Sequence, residues 1–529
     1  MSNCKILDCT LRDGGYINSF DFGNYIIKDI TRKLTESHVD IIECGFLKSN
    51  EFDLNKTLYG SVEYIKDRIT PKSPETMYVG MIAYGDIGIN EISDCCGDSI
   101  DGIRVTFHKD KIDEAFLFGK QIMDKGYKVF MQPVGTTTYS SDELMELISK
   151  VNSIKPFAFY LVDTLGTMFN NDLCEMFLLA DQYLDKEISI GFHSHNNLQM
   201  SFSNAIELIR IHTDREIIID STVFGMGRGA GNLCTELIME YINKQIDNKY
   251  EIVPVLEIFD EHISKILLKY KWGYSLPYFI ASTNNCHPNY ATHLINKQTL
   301  SIKQISYILS QIDNHKRELF DKNFIEQLYI DYQKHYVDDS ATSEEYKDSL
   351  ADKSIVILAP GKSIKSNAEM IRSFCTQNQS VVFAVNFVPE DFEVDYLFVS
   401  NRKRIKSLRE ISSLANVKRC LFTSNLIGDR QYENCDIINY SDYLNEDAII
   451  SDNAGLMLMN FLNKIGVKEI NLAGFDGFGI NRFDDYFDSD YLNDTEYEEL
   501  INKTKKIAKR IKALSGSMKI NFLTESKYE

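Results

Sequence analysis

Eight short apolar runs, most of them followed by a stretch long enough to turn the chain back, constrain this sequence more than any other feature. They are residues 4–10 (CKILDCT), 39–46 (VDIIECGF), 77–85 (MYVGMIAYG), 102–108 (GIRVTFH), 128–135 (KVFMQPVG), 157–164 (FAFYLVDT), 187–195 (EISIGFHSH) and 217–225 (IIIDSTVFG). Their β-branched, nearly continuous hydrophobicity marks strands buried on both faces. Between them, NYIIKDITRKLTESH and SDELMELISKVNSI carry apolar residues at helical spacing. Strand–helix alternation repeated eight times predicts an α/β chain whose residues 1–285 form a (β/α)8 TIM barrel. An open doubly wound sheet is the alternative, but it gives no reason to stop at eight.

The remainder is organised differently. The pattern is helical from Asn232 to about Tyr336, which predicts the last barrel helix and a helical extension over residues 286–336. Residues 337–352 are polar and acidic and read as a linker. The runs SIVILAPGKSI, SVVFAVNF, VDYLFVS, RCLFTSN and KEINLAGFD then predict a smaller α/β domain over residues 353–529. The formal charge of −20 would repel a nucleic-acid backbone or an anionic membrane, so neither is an expected partner. No apolar segment approaches the ~20 residues that span a bilayer. The N-terminal MSNCKILDCTLRDGG has no signal-peptide pattern. The eleven cysteines are odd in number and include no CxxC pair, so neither a disulfide framework nor a cysteine zinc site is expected. A reducing, cytoplasmic location is expected instead.

The chemistry-bearing residues fall at strand ends. His193 and His195, two apart at the end of the seventh run, point to one face and can meet at a single metal ion. Barrel active sites occupy that end of the strands. Asp13, just past the first run, can add a carboxylate; two imidazoles and one carboxylate leave positions open for substrate oxygens. Arg12 offers a fixed positive charge where an enolate oxygen would develop. Alone, Asp13 would read as a helix cap and Arg12 as a surface residue; the shared rim with the histidines favours chemistry. In FGMGRGAGN (224–232), glycines allow close backbone approach, and Asn232 is either a helix cap or a fourth ligand.

TLRDG after the first strand, HSH after the seventh and GMGRGAGN after the eighth, in that order, resemble the DRE-TIM metallolyase (HMGL-like) superfamily. That group includes hydroxymethylglutaryl-CoA lyase, isopropylmalate and homocitrate synthases and 4-hydroxy-2-oxovalerate aldolase. The likeness covers roughly residues 1–300 and is strongest to the aldolase branch, whose substrate-contacting segment reads here Tyr160-Leu-Val-Asp163-Thr164-Leu-Gly166. It implies Mn2+, or else Mg2+, Co2+ or Zn2+, on Asp13, His193, His195 and Asn232. It also implies a lyase joining or parting pyruvate and an aldehyde, with Arg12 steadying the enolate, Thr164 and His193 contacting substrate, and a homo-oligomeric assembly. Tyr290 of CHPNYATHL would be the tyrosine that enters the site from the helical part, or else a core tyrosine of an amphipathic helix. One departure stands out: those aldolases carry histidine three residues after the metal-binding Asp, and here Tyr16 takes its place, a phenol of pKa ~10 and a poorer base. Glu43 and His108, at the ends of the second and fourth strands, are further candidates for proton transfer, and Arg104 is a weaker one. Gly15 stands where the Claisen synthases carry an acidic residue, which disfavours an acyl-CoA-dependent Claisen synthase but leaves it as an alternative.

In the second domain, the turn in SIVILAPGKSI lacks the GxxxxGK[ST] spacing of a Walker site. Together with residues 451–478 it resembles bacterial sialyltransferase-like and DUF115 domains. This implies a sugar-nucleotide site at Gly361, Ser363 and Asp476 and, as an alternative activity, a glycan-pathway transferase.

Overall fold

In a computed structural model that describes residues 4–317, 319–409, 417–427, 435–478 and 497–529, each of the eight runs contains a strand. These are β1 (Cys4–Asp8), β2 (Ile41–Leu47), β3 (Met77–Ala83), β4 (Gly102–Phe107), β5 (Lys128–Pro133), β6 (Ala158–Asp163), β7 (Ser189–Ser194) and β8 (Ile217–Ser221). All neighbours are parallel, and β1 closes the ring by pairing with β8 (Cys4 opposite Ile217) and with β2 (Leu7 opposite Ile41). Helices such as Asn24–Glu36, Ile112–Asp124 and Ser141–Ile154 cover the outside. The last of these starts where Ser140 and Glu143 satisfy each other's backbone N–H groups, at 3.3 and 2.8 Å. The crossovers after β2 and β3 are thinner: the first holds a two-residue strand, Leu58–Tyr59, and the short helix Glu63–Lys66, the second a single turn at Ile89–Glu91.

Side-chain alternation explains both the closure and the site. Ile6, Ile42, Tyr78, Val129, Phe159 and Ile219 point outward into the core shared with the helices. Leu7, Ile41, Val79, Phe130, Ala158 and Ile218 fill the barrel's interior. Two residues further along the same inward face stand Cys9, Glu43, Gln132, Tyr160 and Asp220, with Arg104 and His193 following inward-facing glycines, all of them buried. The interior is therefore apolar at one end of the strands and charged at the other.

Backbone contacts divide the chain into two units, Met1–Pro288 with Asn314–Leu319, and Asn289–Asp313 with Phe320–Glu529. The segment 286–336, read from sequence as one extension, is thus shared between them. The second unit holds a seven-stranded sheet: β9 (Ile355–Leu358), β10 (Val381–Val385), β11 (Val394–Val399), β12 (Val417–Thr423), β13 (Cys435–Ile438), β14 (Glu469–Ala473) and β15 (Lys519–Phe522). The order is β13-β12-β11-β10-β9-β14-β15, parallel throughout. Ile355 and Ile357 enter one core and Val356 and Leu358 the other, so both faces are covered. Among the described residues, no helix is long and apolar enough to cross a membrane.

The expected linker is instead largely a helix, Ser340–Leu350. Its polar composition hides one pair of large apolar residues at the i, i+4 spacing, Tyr346 and Leu350, and both are buried in the second unit's core. The Tyr346 hydroxyl also donates to Asp436 at 2.8 Å. Leu350→Ala should therefore cost about 2–3 kcal/mol in chemical denaturation of the full chain. A linker leucine would cost almost nothing.

Candidate metal centre

The loop after β1 folds tightly because the Cys9 carbonyl accepts N–H bonds from both Arg12 (3.1 Å) and Asp13 (2.8 Å), which sets their side chains over the barrel's charged end. One ligand atom from each of Asp13, His193 and His195 lies within 4.8 Å of the others. Around them runs a buried chain of charges. Arg12 donates to Asp13 (2.6 Å) and to Glu43 (2.7 Å), Arg104 pairs with Glu43 (2.8 Å) and with Asp220, and Asp220 meets His193 Nδ1 at 2.9 Å. Burial pushes the Asp13 carboxyl up, but Arg12 and then His195 outweigh it and hold it well below the usual carboxylate range. Burial likewise opposes Asp220, and Arg104 and His193 keep it low. Burial lowers His193, favouring the neutral imidazole a metal needs.

Tautomers follow from the partners. A backbone carbonyl only accepts, so His195 Nδ1, 2.6 Å from the Thr164 oxygen, carries the proton. Nε2 has no hydrogen bond among the described residues and faces Asp13 Oδ2 at 3.6 Å. An imidazole nitrogen and a carboxylate oxygen placed this way in a buried site are suited to share a cation. The charge balance agrees: two guanidiniums stand against the three carboxylates of Asp13, Glu43 and Asp220, which leaves one negative charge uncompensated when the imidazoles are neutral. The residues fit a divalent metal. A second acidic grouping, Asp29, Glu261 and His262, does not, because the Lys33 ammonium already sits in it, 2.8 Å from Glu261 and 3.6 Å from Asp29.

Of the residues picked out from sequence, Asn232 joins the group. It does not cap the helix, which begins at Thr235; its amide donates to Asp13 Oδ2 (2.7 Å) and to the Met226 carbonyl (3.1 Å), leaving Oδ1 unpartnered. Gly227 makes this possible, since a Cβ there would lie 2.3 Å from the Asn232 amide nitrogen. Glu43 is sealed between two arginines, a setting for positioning Arg12 and not for open proton transfer. Thr164 orients His195 through its carbonyl, while its hydroxyl accepts the Gly135 N–H at 2.9 Å. Tyr16 lies at the rim with the Arg228 guanidinium 3.9 Å from its ring centre, and burial raises its pKa.

Two readings need correction. Tyr290 is a core residue of the second unit, fully buried, its hydroxyl accepting the Asp321 N–H at 3.1 Å and its ring edge-on to Phe320. Those surroundings, not a substrate site, account for it. Gly361, Ser363 and Asp476 do converge, but Asp476 itself takes the Ser363 N–H (2.7 Å) and hydroxyl, the donors a nucleotide phosphate would need. Sequence reasoning missed Asp220 and left Arg104 as a weak candidate. The signal was an acid and an arginine at inward-facing positions of otherwise apolar strands.

Asp220→Asn should leave the barrel folded but lower Mn2+ affinity by about 10–100-fold in calorimetric titration, because His193 loses the partner that fixes its ring. An unchanged affinity would show that His193 is oriented without it.

Comparison with known proteins bears on this unit. Residues 105–260 match the HMGL-like family model. An oxaloacetate decarboxylase of Mycobacterium tuberculosis is 25% identical over 278 residues, covering 51% of this chain and 79% of its own. A 4-hydroxy-2-oxovalerate aldolase of Bacillus cereus is 24% identical over 269 residues, covering 50% of this chain and 76% of its own. Among solved structures, the N-terminal domain of a candidate aldolase from Bacteroides vulgatus is 27% identical with a TM-score of 0.48, covering 55% of this chain and 96% of that one. Nothing among these matches supports the sialyltransferase-like resemblance of the second domain. The match of residues 105–260 and the metal-ligand cluster together make the barrel similar to the HMGL-like family and support a metal-dependent carbon–carbon lyase of that broad type.

Proposed function

We propose that the barrel cleaves or forms the bond between the methyl carbon of pyruvate and an aldehyde carbon, as the name of its aldolase relative implies. The observation that carries this reading is the bare His195 Nε2 facing the Asp13 carboxylate beside Arg12. Mn2+ is our choice of ion. Held by Asp13, His193 and His195, it would supply a Lewis acid for the oxygens of a 2-oxo acid. Arg12, kept in place by Glu43, offers its charge to the enolate oxygen as the carbon–carbon bond breaks. Thr164 retains a hydroxyl proton to donate to the substrate carboxylate.

Tyr16 then decides which substrates are within reach. Cleaving a 4-hydroxy-2-oxo acid requires loss of the hydroxyl proton as the aldehyde leaves, and the pyruvate enolate afterwards takes a proton at carbon. Burial keeps the Tyr16 phenol protonated, although Arg228 and Arg12 favour its phenolate. That same phenol favours a second reading. Decarboxylation of oxaloacetate, the reaction named for the Mycobacterium relative, expels CO2 and forms the same enolate with no hydroxyl proton to remove. A neutral phenol at the rim can protonate that enolate.

Pyruvate release from 4-hydroxy-2-oxopentanoate and from oxaloacetate measures both. EDTA or Asp13→Asn should lower either activity by about 100-fold or more; turnover that persists without metal would exclude both readings. Tyr16→Phe should cost about 10²–10⁴-fold on the hydroxy acid if the phenol transfers its proton. A loss confined to within about threefold would assign the tyrosine to packing against Arg228.

A further inference from the structure

The sheet of the second unit reverses its winding between β9 and β14: the chain goes from β9 to β10 on one side and from β14 to β15 on the other. Loops leaving the carboxyl ends of these two strands must part, and such a reversal is where open parallel sheets hold ligands. A cavity of about 220 Å³ lies there, bounded by Ala359–Gly361 after β9 and by Gly474–Phe478 after β14. One water takes up about 30 Å³ of liquid, so the space suits an organic molecule more than a lone ion.

The charges on its wall are unequal in what they have left to bind. Lys297 is satisfied by Glu326 (2.8 Å), the Ala448 carbonyl (2.9 Å) and Ser451 (3.3 Å). Asp476 is committed to Ser363, and Asp452 accepts from the Tyr329 hydroxyl. Lys503, partly buried on the helix Tyr497–Leu514, lines the cavity and has no hydrogen bond or ion pair among the described residues. Burial lowers its pKa, with Asp452 offsetting only part of the effect. A partly desolvated ammonium without a partner gains from an anion that joins it. The helix Ala454–Lys464 brings its first turn, Ala454 to Leu456, to the same wall. Asn453 accepts the Leu456 N–H at 3.1 Å, which leaves the two preceding amides at the positive end of the helix dipole. Phe475, Ile449 and Ile507 make the rest of the wall apolar.

We propose that this cavity binds a small organic phosphate, with Lys503 and the first-turn amides of the helix Ala454–Lys464 holding the phosphate and Phe475 and Ile507 packing on its organic part. Two helix-terminal amides and one ammonium on the same wall suit a phosphate oxyanion. The site is independent of the barrel's chemistry. It also differs from the Gly361–Ser363 turn, whose donors are taken.

Calorimetry on the full chain with glucose 1-phosphate, glycerol 3-phosphate and AMP, and with malonate as the carboxylate control, tests this. At least one phosphate should bind saturably, and Lys503→Met should weaken it by about tenfold or more. Lys505→Met, which removes an exposed charge from the same helix, should leave it within about threefold. In the unaltered protein, the bound phosphate should also slow hydrogen exchange at residues 454–456, a readout that survives if the Lys503 variant misfolds. Absence of saturable binding by all three phosphates, equal binding by Lys503→Met, or malonate binding as tightly as the phosphates would overturn the proposal.

Discussion

The barrel unit is organised around a buried alternation of charge running from Arg12 through Glu43, Arg104 and Asp220 to His193. Each carboxylate or guanidinium in it would be prohibitively costly alone in a protein interior, so no member can be placed without its neighbours. That mutual dependence transmits the geometry of four strands and one loop to two metal ligands. Arg12 fixes Asp13 from one end, and Asp220 fixes His193 from the other. A chain of pairs ending one negative charge in excess is itself a receptor for a cation, before any ligand atom is counted.

The barrel supports such a cluster because its interior is divided along its length. The apolar layer of Leu7, Ile41, Val79, Phe130, Ala158 and Ile218 closes one end and provides the burial that stabilises the ring. The charged layer lies one inward-facing position further on. There the strands end and the loops after β1 and β8 can bring Asp13 and Asn232 over it. Asn232 reaches Asp13 only because Gly227 leaves room, so the glycines of that loop serve the approach of a side chain to the ligand carboxylate.

Much of this was legible in the sequence, for identifiable reasons. The eight strands showed because each is buried on both faces and therefore apolar over most of its length. Asp13, His193 and His195 showed because they sit at strand ends in compact motifs. Asp220 did not and Arg104 did only faintly, since the period of two that turns them inward looks the same as the period that turns their neighbours outward. Ser340–Leu350 was hidden because two apolar residues among nine polar or small ones suffice to dock a helix, yet barely alter its composition. Tyr290 could be read two ways because a buried tyrosine with a satisfied hydroxyl and a catalytic one have the same one-letter signature.

The second unit shows why a local motif can point to the right region and the wrong atoms. Parallel strands place their loops at one edge, so a glycine turn after β9 does border a cavity, as the barrel's glycine loop borders its metal ligands. What the turn offers depends on what reaches it from elsewhere. Asp476, arriving from the end of β14, occupies the turn's amide and repels the anion the motif would otherwise invite. The unmatched positive charge comes from Lys503, more than a hundred residues further along and in no recognisable pattern. In both units the decisive electrostatics are set by residues distant in sequence, which only the closed ring or the reversing sheet brings together.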